Sequence, residues 1–330
     1  MIQPLVSVIM AVYNAEPYLR CCLDSLQAQT LTEFDVIAVD DGSTDESLAI
    51  LKEYASKDTR FRIYHKENGG VSSARQFGIE RLAEQGGKYS IHVDPDDWVE
   101  PRMLEQLYKK AEETGADMVI CDYHQDGQKQ QWLRRQDPGS EEPQEVLNAL
   151  FLGLHGSLCN KLIRTDCYKE AGIRFPEGLN YCEDFYVNVC LLLRSVRKVS
   201  YLPEAFYHYD KYSNPQAETR SSDKEYVNYS RQEIVRLCRE ALPKKDRNWS
   251  FGVFEVKMAC SIIKKGDMKN SEFRSLFSGI PLSILFHSLN FKTIIVLLAL
   301  HTPIGNRTLS GTYRCYRACG LRIARSIGLR

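Results

Sequence analysis

Between Leu5 and Ala111 the hydrophobic period changes four times from a short buried run to a helical stripe, and few topologies accommodate that alternation. Leu5 to Ala11 is apolar and partly β-branched, and Leu19, Cys22, Leu23 and Leu26 then recur at i, i+3, i+4 and i+7. Phe34 to Val39 repeats the strand pattern, with Ser43 and Glu46 at capping-box spacing opening a helix through about Tyr54. Phe61 to His65 leads through Asn68-Gly69-Gly70 into a helix near Ser72 to Ala83. Tyr89 to Val93 is followed by Pro101 and the stripe Leu104, Leu107, Tyr108 and Ala111. Strands alternating with helices demand right-handed crossovers, hence an α/β fold with a mostly parallel sheet and helices on both faces. Ligands of such sheets lie beyond the carboxyl ends of the strands. The residues to read are therefore Tyr13, Asp40 and Asp41, Asn68 to Gly70, and Asp94 to Asp97.

A chain of 330 residues can bury one large α/β core and still carry an appendage. Lys+Arg and Asp+Glu are both 43, so the overall charge gives no reason to expect a nucleic-acid partner. The distribution is uneven. From Phe273 to Arg330 there is no acidic residue, while Arg274, Lys292, Arg307, Arg314, Arg317, Arg322, Arg325 and Arg330 are basic. The 11 cysteines are scattered without a CxxC pair, which reads as free thiols in a reducing compartment rather than as zinc ligands. Val6 to Val12 is too short for a signal-peptide core and no basic residue precedes it, so a cytoplasmic protein is expected.

Gln125 to Pro143 is polar and reads as a solvated connector, after which Gln144 to Asp210 resumes helix and strand patterning and carries the acidic pair Glu183-Asp184. Beyond Asp210 the pattern turns helical. Ile280 to Leu300 is largely apolar but interrupted by Lys292, and its clean run Ile294 to Leu300 is far shorter than the roughly 20 residues a bilayer requires. Two readings of this tail stand side by side: an interfacial segment on an anionic membrane surface, or a helical hairpin packed on the rest of the chain.

Asp94-Pro95-Asp96-Asp97 places three carboxylates directly after a buried strand. Such groups repel, and a fold keeps them together where a cation or a ligand hydroxyl offsets the repulsion. One or two carboxylates plus a diphosphate suit Mg²⁺ or Mn²⁺, with an acidic helix start as the competing explanation. In Val39-Asp40-Asp41-Gly42-Ser43, Asp41 can accept from a uracil imide or a ribose hydroxyl, or it can simply cap the turn. Tyr13 can stack on a base or merely pack.

Val6-Ser7-Val8-Ile9-Met10-Ala11-Val12-Tyr13-Asn14, Val39-Asp40-Asp41-Gly42-Ser43-Thr44-Asp45, Asn68-Gly69-Gly70-Val71-Ser72-Ser73-Ala74-Arg75 and Asp94-Pro95-Asp96-Asp97 together resemble the ordered signatures of glycosyltransferase family 2, the inverting enzymes of GT-A fold. Asn160-Lys161-Leu162, Gly172 to Gly178 and Tyr181-Cys182-Glu183-Asp184 resemble the later part, and the likeness fades beyond Asp210. The resemblance implies a GT-A, Rossmann-like sheet over residues 1–210, with a donor half at 1–124 and an acceptor half at 144–210, and a helical, basic extension over 211–330. It implies a nucleotide-sugar donor, a UDP-sugar by the Asp41 position, held by Ala11, Tyr13, Asp41, Arg75, Asp94, Asp96 and Asp97. The metal, Mn²⁺ or Mg²⁺, falls to Asp96 and Asp94 of the DxD motif. Two departures are Ala11, where some members carry a hydroxyl residue, and Pro95 in the middle of the DxD; neither removes a carboxylate.

Within that resemblance the reaction is a single displacement in which the metal offsets charge on the departing diphosphate and a carboxylate deprotonates the acceptor hydroxyl. Asp184 is the expected base, with Glu183 orienting or substituting for it. The acceptor would be a saccharide or lipid-linked saccharide in cell-surface glycan synthesis, reached at the cytoplasmic membrane face if the tail binds lipid. Two rival classes are a sugar-nucleotide pyrophosphorylase and a non-catalytic nucleotide-sugar-binding protein. The first wants a Gly-rich basic loop after the first strand, which Ala11 to Ala15 lacks, and the second would tolerate loss of the metal and base carboxylates, which are all present.

Overall fold

The computed structural model describes residues 3–210, Asn214, 224–265, 270–277 and positions 280, 296 and 300. The chain divides into two compact units, Met1–Ser221 and Ser222–Arg330. The first opens with three β-α units: β1 (Val6–Val12), α1 (Glu16–Gln27), β2 (Phe34–Asp40), α2 (Ser47–Lys57), β3 (Phe61–His65) and α3 (Val71–Gln85). They are followed by β4 (Tyr89–His92), β5 (Trp98–Val99), α4 (Met103–Thr114), β6 (Met118–Asp126), β7 (Gln131–Arg134), α5 (Pro143–Leu152), β8 (Lys161–Arg164), α6 (Asp166–Glu170), α7 (Glu183–Arg194) and β9 (Val199–Asp210).

The strands form one sheet in the order β3-β2-β1-β4-β8-β6-β9-β5, with β7 on the edge of β6. β3, β2, β1 and β4 are mutually parallel, as the β-α alternation requires; β2, β1 and β4 are buried on both faces, while the edge strand β3 buries only Phe61 fully. The other half is mixed. β8 lies antiparallel between β4 and β6, while β9 runs parallel to β6 through a bulge at Cys121 to Tyr123. Leu19, Leu23 and Leu26 of α1 and Leu104, Leu107 and Ala111 of α4 present the expected stripes to a core that includes Val8, Met10, Val36 and Ile91.

Two local expectations are revised. α2 begins at Ser47 and not at Ser43, because the Ser43 hydroxyl accepts from the Asn14 amide while Asp45 Oδ1 accepts from the Ser47 amide. The stretch read as a solvated connector from Gln125 contains the β6–β7 hairpin, whose outer strand Gln131–Arg134 is exposed throughout. An edge strand exposed along its length carries no alternating signature, so its polarity resembles that of a loop.

In the second unit α8 (Lys224–Ala241), α9 (Trp249–Lys265) and α10 (Asn270–Phe277) bury Ile234, Val235, Phe251, Phe254 and Phe273. Arg239 Nε donates to Glu255 Oε1 at 2.5 Å, and Glu255 is buried. Most of the tail beyond Phe277, on which the membrane expectation rests, lies outside the described residues. Among the described residues no helix is long and apolar enough to cross a membrane. The nine described cysteines are free thiols.

Candidate donor and catalytic site

The first three strands end in register, with Val12 opposite Asp40 and Asp40 opposite His65, so the loops that follow emerge side by side. Ala11 sits on β1 opposite Val39, one strand position before this edge. Asn14 adopts φ 48°, its amide donates to Ser43 Oγ at 3.1 Å, and its Oδ1 accepts from the Thr44 amide at 2.8 Å. The first and second loops are thereby laced together, and Tyr13 stands at their junction with 51% of its surface exposed, available to a planar ligand.

Asp41 is buried and its carboxylate closes a turn. The Gly70 amide donates to it at 2.8 Å, the Gly69 amide at 3.1 Å and Lys66 Nζ at 2.6 Å, while Asn68 Nδ2 donates to its carbonyl at 2.9 Å. A carboxylate offers about four lone-pair sites. Asp41 therefore builds the Asn68–Gly70 turn and keeps capacity for about one further donor. Gly70, at φ 84°, packs against the Asn180 side chain, and Ser72 Oγ donates to the Leu179 carbonyl, so the start of α3 is docked on the segment that leads into α7.

Arg75, one turn into α3, is the centre of the site. Its side chain is only 7% exposed, and its guanidinium meets three carboxylates: Nη2 lies 2.8 Å from Asp94 Oδ1, Nη1 lies 2.6 Å from Asp184 Oδ1, and Nη1 also contacts Glu183 Oε1. One cation thus joins the acid cluster after β4 to the acid pair at the start of α7, residues 90 positions apart in sequence. The planar, forked guanidinium can do this where a lysine cannot. Three carboxylates around one guanidinium leave an excess of negative charge. Burial pushes the Glu183 carboxyl up to about 8, with Asp184 adding to the shift against the pull of Arg75. Asp184 is raised as well, by burial and by the Asp94 charge.

Glu183 and Asp184 occupy the first turn of α7, where the helix dipole favours negative charge. Asp184 Oδ2 accepts from Ser157 Oγ and from the Leu158 amide, both at 3.3 Å. The residue ahead of the pair, Cys182, is left-handed at φ 67°. That conformation turns the chain sharply so that both acids face Arg75.

The three acids of the first cluster differ in environment. Asp94 is 29% exposed on its side chain, and its amide donates to the Tyr207 hydroxyl at 3.1 Å. Asp96 accepts from Asn214 Nδ2 at 2.9 Å, and its carboxyl is raised by burial and then by the Asp94 charge. Asp97 turns inward: Tyr207 Oη donates to its Oδ2 at 2.5 Å and the Asp210 amide to its Oδ1 at 2.8 Å, and burial holds its carboxyl well above the usual carboxylate range. Among the described residues no group of three Asp, Glu, His or Cys side chains converges as a ligand set. Asp94 and Asp96 still fit a divalent ion, since the repulsion between them is what a cation relieves, but the remaining ligands would have to come from a bound diphosphate.

His208, on β9, is buried. It stacks on Trp98 with centroids 3.5 Å apart, and its ring nitrogens face Glu100 Oε1 at 3.1 Å and Asp126 Oδ2 at 3.3 Å. Sequence reading assigned nothing to Ser157, Leu158 or Tyr207 at the site. Tyr207 was visible only as one of several aromatics in a strand, and a loop amide such as that of Leu158 leaves no trace in residue type.

A family model described as glycosyl transferase family 2 matches residues 7–172. The putative glycosyltransferase EpsH of Bacillus subtilis is 37% identical over 213 residues, covering 62% of this chain and 60% of that protein. The uncharacterized glycosyltransferase YibD of Escherichia coli is 30% identical over 255 residues, covering 74% of this chain and 72% of that protein. The chain thus spans less than two thirds of the length of EpsH. Among solved structures, Staphylococcus aureus TarS 1-349 in complex with UDP-GlcNAc superposes with a TM-score of 0.72 at 22% identity over 94% of this chain and 91% of that one. The mannosyltransferase PcManGT of Pyrobaculum calidifontis, in complex with GDP-Man and Mn²⁺, gives a TM-score of 0.53 at 14% identity over 94% and 84%. These likenesses place the architecture in the GT-A class, with a helical C-terminal part.

Proposed function

The chain belongs to glycosyltransferase family 2, and from that premise we propose that it transfers one sugar, with inversion, from a UDP-sugar to an acceptor hydroxyl in the assembly of a cell-surface glycan. The observation that carries this reading is the convergence of Asp94, Glu183 and Asp184 on the buried Arg75, which sets a donor-side carboxylate and a base-side carboxylate against one cation. Tyr13 and the spare capacity of Asp41 receive the uracil, with Ala11 on the strand beneath. A UDP-sugar is also what the TarS neighbour holds.

Asp94 and Asp96 would hold Mn²⁺ or Mg²⁺, which supplies charge neutralisation for a departing diphosphate. Asp184 takes the proton of the acceptor hydroxyl as that oxygen bonds to the anomeric carbon and the bond from that carbon to the UDP oxygen breaks. Glu183, protonated through much of the neutral range, orients Asp184 across Arg75. Asp97 acts from behind, holding the Asp94–Asp97 loop to β9 through Tyr207. The acceptor, a saccharide or a lipid-linked saccharide, approaches from the α7 side. The acid-free, basic sequence from Phe273 onward fits an enzyme that works on the anionic cytoplasmic face of a membrane.

The reading is tested with a panel of nucleotide sugars and thermal melts with and without Mn²⁺, since a ligand of the native state alone raises stability, by about 2.7 kcal/mol at a hundredfold excess over Kd. A UDP-sugar that stabilises the protein only with Mn²⁺, in wild type but not in Asp96→Asn, is the expected result. Stabilisation by a nucleoside triphosphate in its place would support a nucleotidyltransferase and end the transferase reading. Asp184→Asn should keep donor and metal affinity and lower turnover by about 10² to 10⁴ fold.

A further inference from the structure

Lys161, the first residue of β8, is 1% exposed, and the hydrogen-bond partners of its ammonium are neutral oxygens. Its ammonium donates to the carbonyls of His155 at 2.8 Å and Ser157 at 2.7 Å and to Asn160 Oδ1 at 2.9 Å. Each of its three protons is used. A buried cation held only by neutral oxygens is an expensive way to fill space, because an apolar side chain of similar length would avoid the desolvation. What the cation does is shape a loop: residues 155–160 wrap round it with the carbonyls of His155 and Ser157 turned inward.

That loop is fixed at both ends. Asn160 Nδ2 donates to the Cys121 carbonyl at 2.7 Å and the Cys121 amide to the Asn160 carbonyl at 3.0 Å, which anchors it on β6. Asn188, one turn along α7 from Asp184, donates to the Gly156 carbonyl at 2.8 Å and to the Asp184 carbonyl at 3.0 Å. With the His155 and Ser157 carbonyls drawn inward, the loop turns outward the Leu158 amide and the Ser157 hydroxyl, the two donors to Asp184 Oδ2. Asp184 is therefore gripped from two sides, Oδ1 by Arg75 on α3 and Oδ2 by the 155–160 loop.

We infer that Lys161 is a positioning residue for Asp184: its buried ammonium gathers the 155–160 loop so that Leu158 N–H and Ser157 O–H hold the carboxylate that receives the acceptor proton. The inference rests on the reading of Asp184 as base. It adds that the base is aimed by a lysine that touches neither substrate nor carboxylate.

The test is a double-mutant cycle of Lys161→Met and Asp184→Asn, read as UDP release by hydrolysis of whichever UDP-sugar turns over in the panel, with UDP affinity measured by calorimetry in Mn²⁺. Lys161→Met should lower kcat about tenfold, with KM and UDP affinity unchanged within about twofold, and the loss should vanish in the Asp184→Asn background, because coupled residues are not additive. Equal losses in both backgrounds, a parallel fall in UDP affinity, or wild-type kcat in Lys161→Met would each overturn the assignment. Should Lys161→Met not fold, Ser157→Ala takes its place in the same cycle with a smaller expected loss, and additivity there overturns it equally. If Asp184→Asn alone retains wild-type turnover, the base reading has failed, an outcome separate from additivity.

Discussion

Replacing Arg75 by Met removes the one cation shared by Asp94, Glu183 and Asp184 while preserving most of the side-chain volume, so the effect isolates charge. Taking one partner from a buried ion pair costs about 3–5 kcal/mol. For a domain of this size each kcal/mol moves Tm by about 2–4 °C, so melts at pH 8 should fall by roughly 6–20 °C. The penalty depends on pH, and its sign follows from linkage. The Glu183 carboxyl, at about 8 in the folded protein, is raised above its ordinary value; its stabilising contribution is full below the ordinary carboxylate range and is lost as pH rises through about 8. Without Arg75, Glu183 and Asp184 lose their attractive partner and shift further in the same direction, so acid neutralises them and relieves the variant. At pH 5 the penalty should be smaller than at pH 8. Thermal melts of wild type, Arg75→Met and Arg75→Lys at both pH values decide. A Tm drop that is equal at pH 5 and pH 8, or one below about 2 °C at pH 8, would refute the claim that Arg75 balances these three acids.

Other expectations concern the frame around that centre. Cys182→Val should destabilise by about 1–2 kcal/mol relative to Cys182→Gly, because a β-branched residue is strained at φ 67° and glycine is not; equal melting temperatures would show that the turn into α7 relaxes freely. Tyr207→Phe leaves a buried Asp97 oxygen and the Asp94 amide short of a partner, so urea denaturation should show a loss of about 1.5–3 kcal/mol, and a loss below about 0.5 would contradict the bridge. Gly70→Ala drives a Cβ to 2.5 Å from Asn180 Oδ1, so UDP-sugar hydrolysis should fall; wild-type turnover would mean that the Gly70 contact does not hold the α7 approach in place.

How much of this was legible in the sequence follows from the range of the interactions involved. The four parallel strands and their helices were, because short apolar runs and a single helical stripe write patterns that local reading detects. The strand-end acids were too, since three carboxylates after an apolar run are anomalous wherever they occur. The β6–β7 hairpin was not, because an edge strand exposed along its length has no period, and neither was the start of α2, because Ser43 has the capping spacing but spends its hydroxyl on Asn14, 29 positions away. The burial of His208 rests on Trp98 in a strand of two residues, a contact that no local pattern marks.

Arg75 marks the boundary most sharply. As an isolated residue it has the ordinary reading of a surface salt bridge, and the sequence around it contains no acid within helical reach: Val71, Ser72, Gly78 and Ile79 stand three and four positions away. Its three partners lie at Asp94, Glu183 and Asp184, and they reach it only because β4 places one on the near side of α3 and the Gly70–Asn180 and Ser72–Leu179 contacts bring the start of α7 to the other. A base at the start of α7 would otherwise be just one more acid at a helix N-terminus, a position where negative charge is common. What distinguishes Asp184 from those acids is that each of its oxygens is fixed by a group from a different part of the fold, Arg75 on α3 and the 155–160 loop ahead of β8. Orientation of that kind is what a proton acceptor needs and what helix capping does not, so the assignment of Asp184 gains its force from the two clamps and not from its place in the helix.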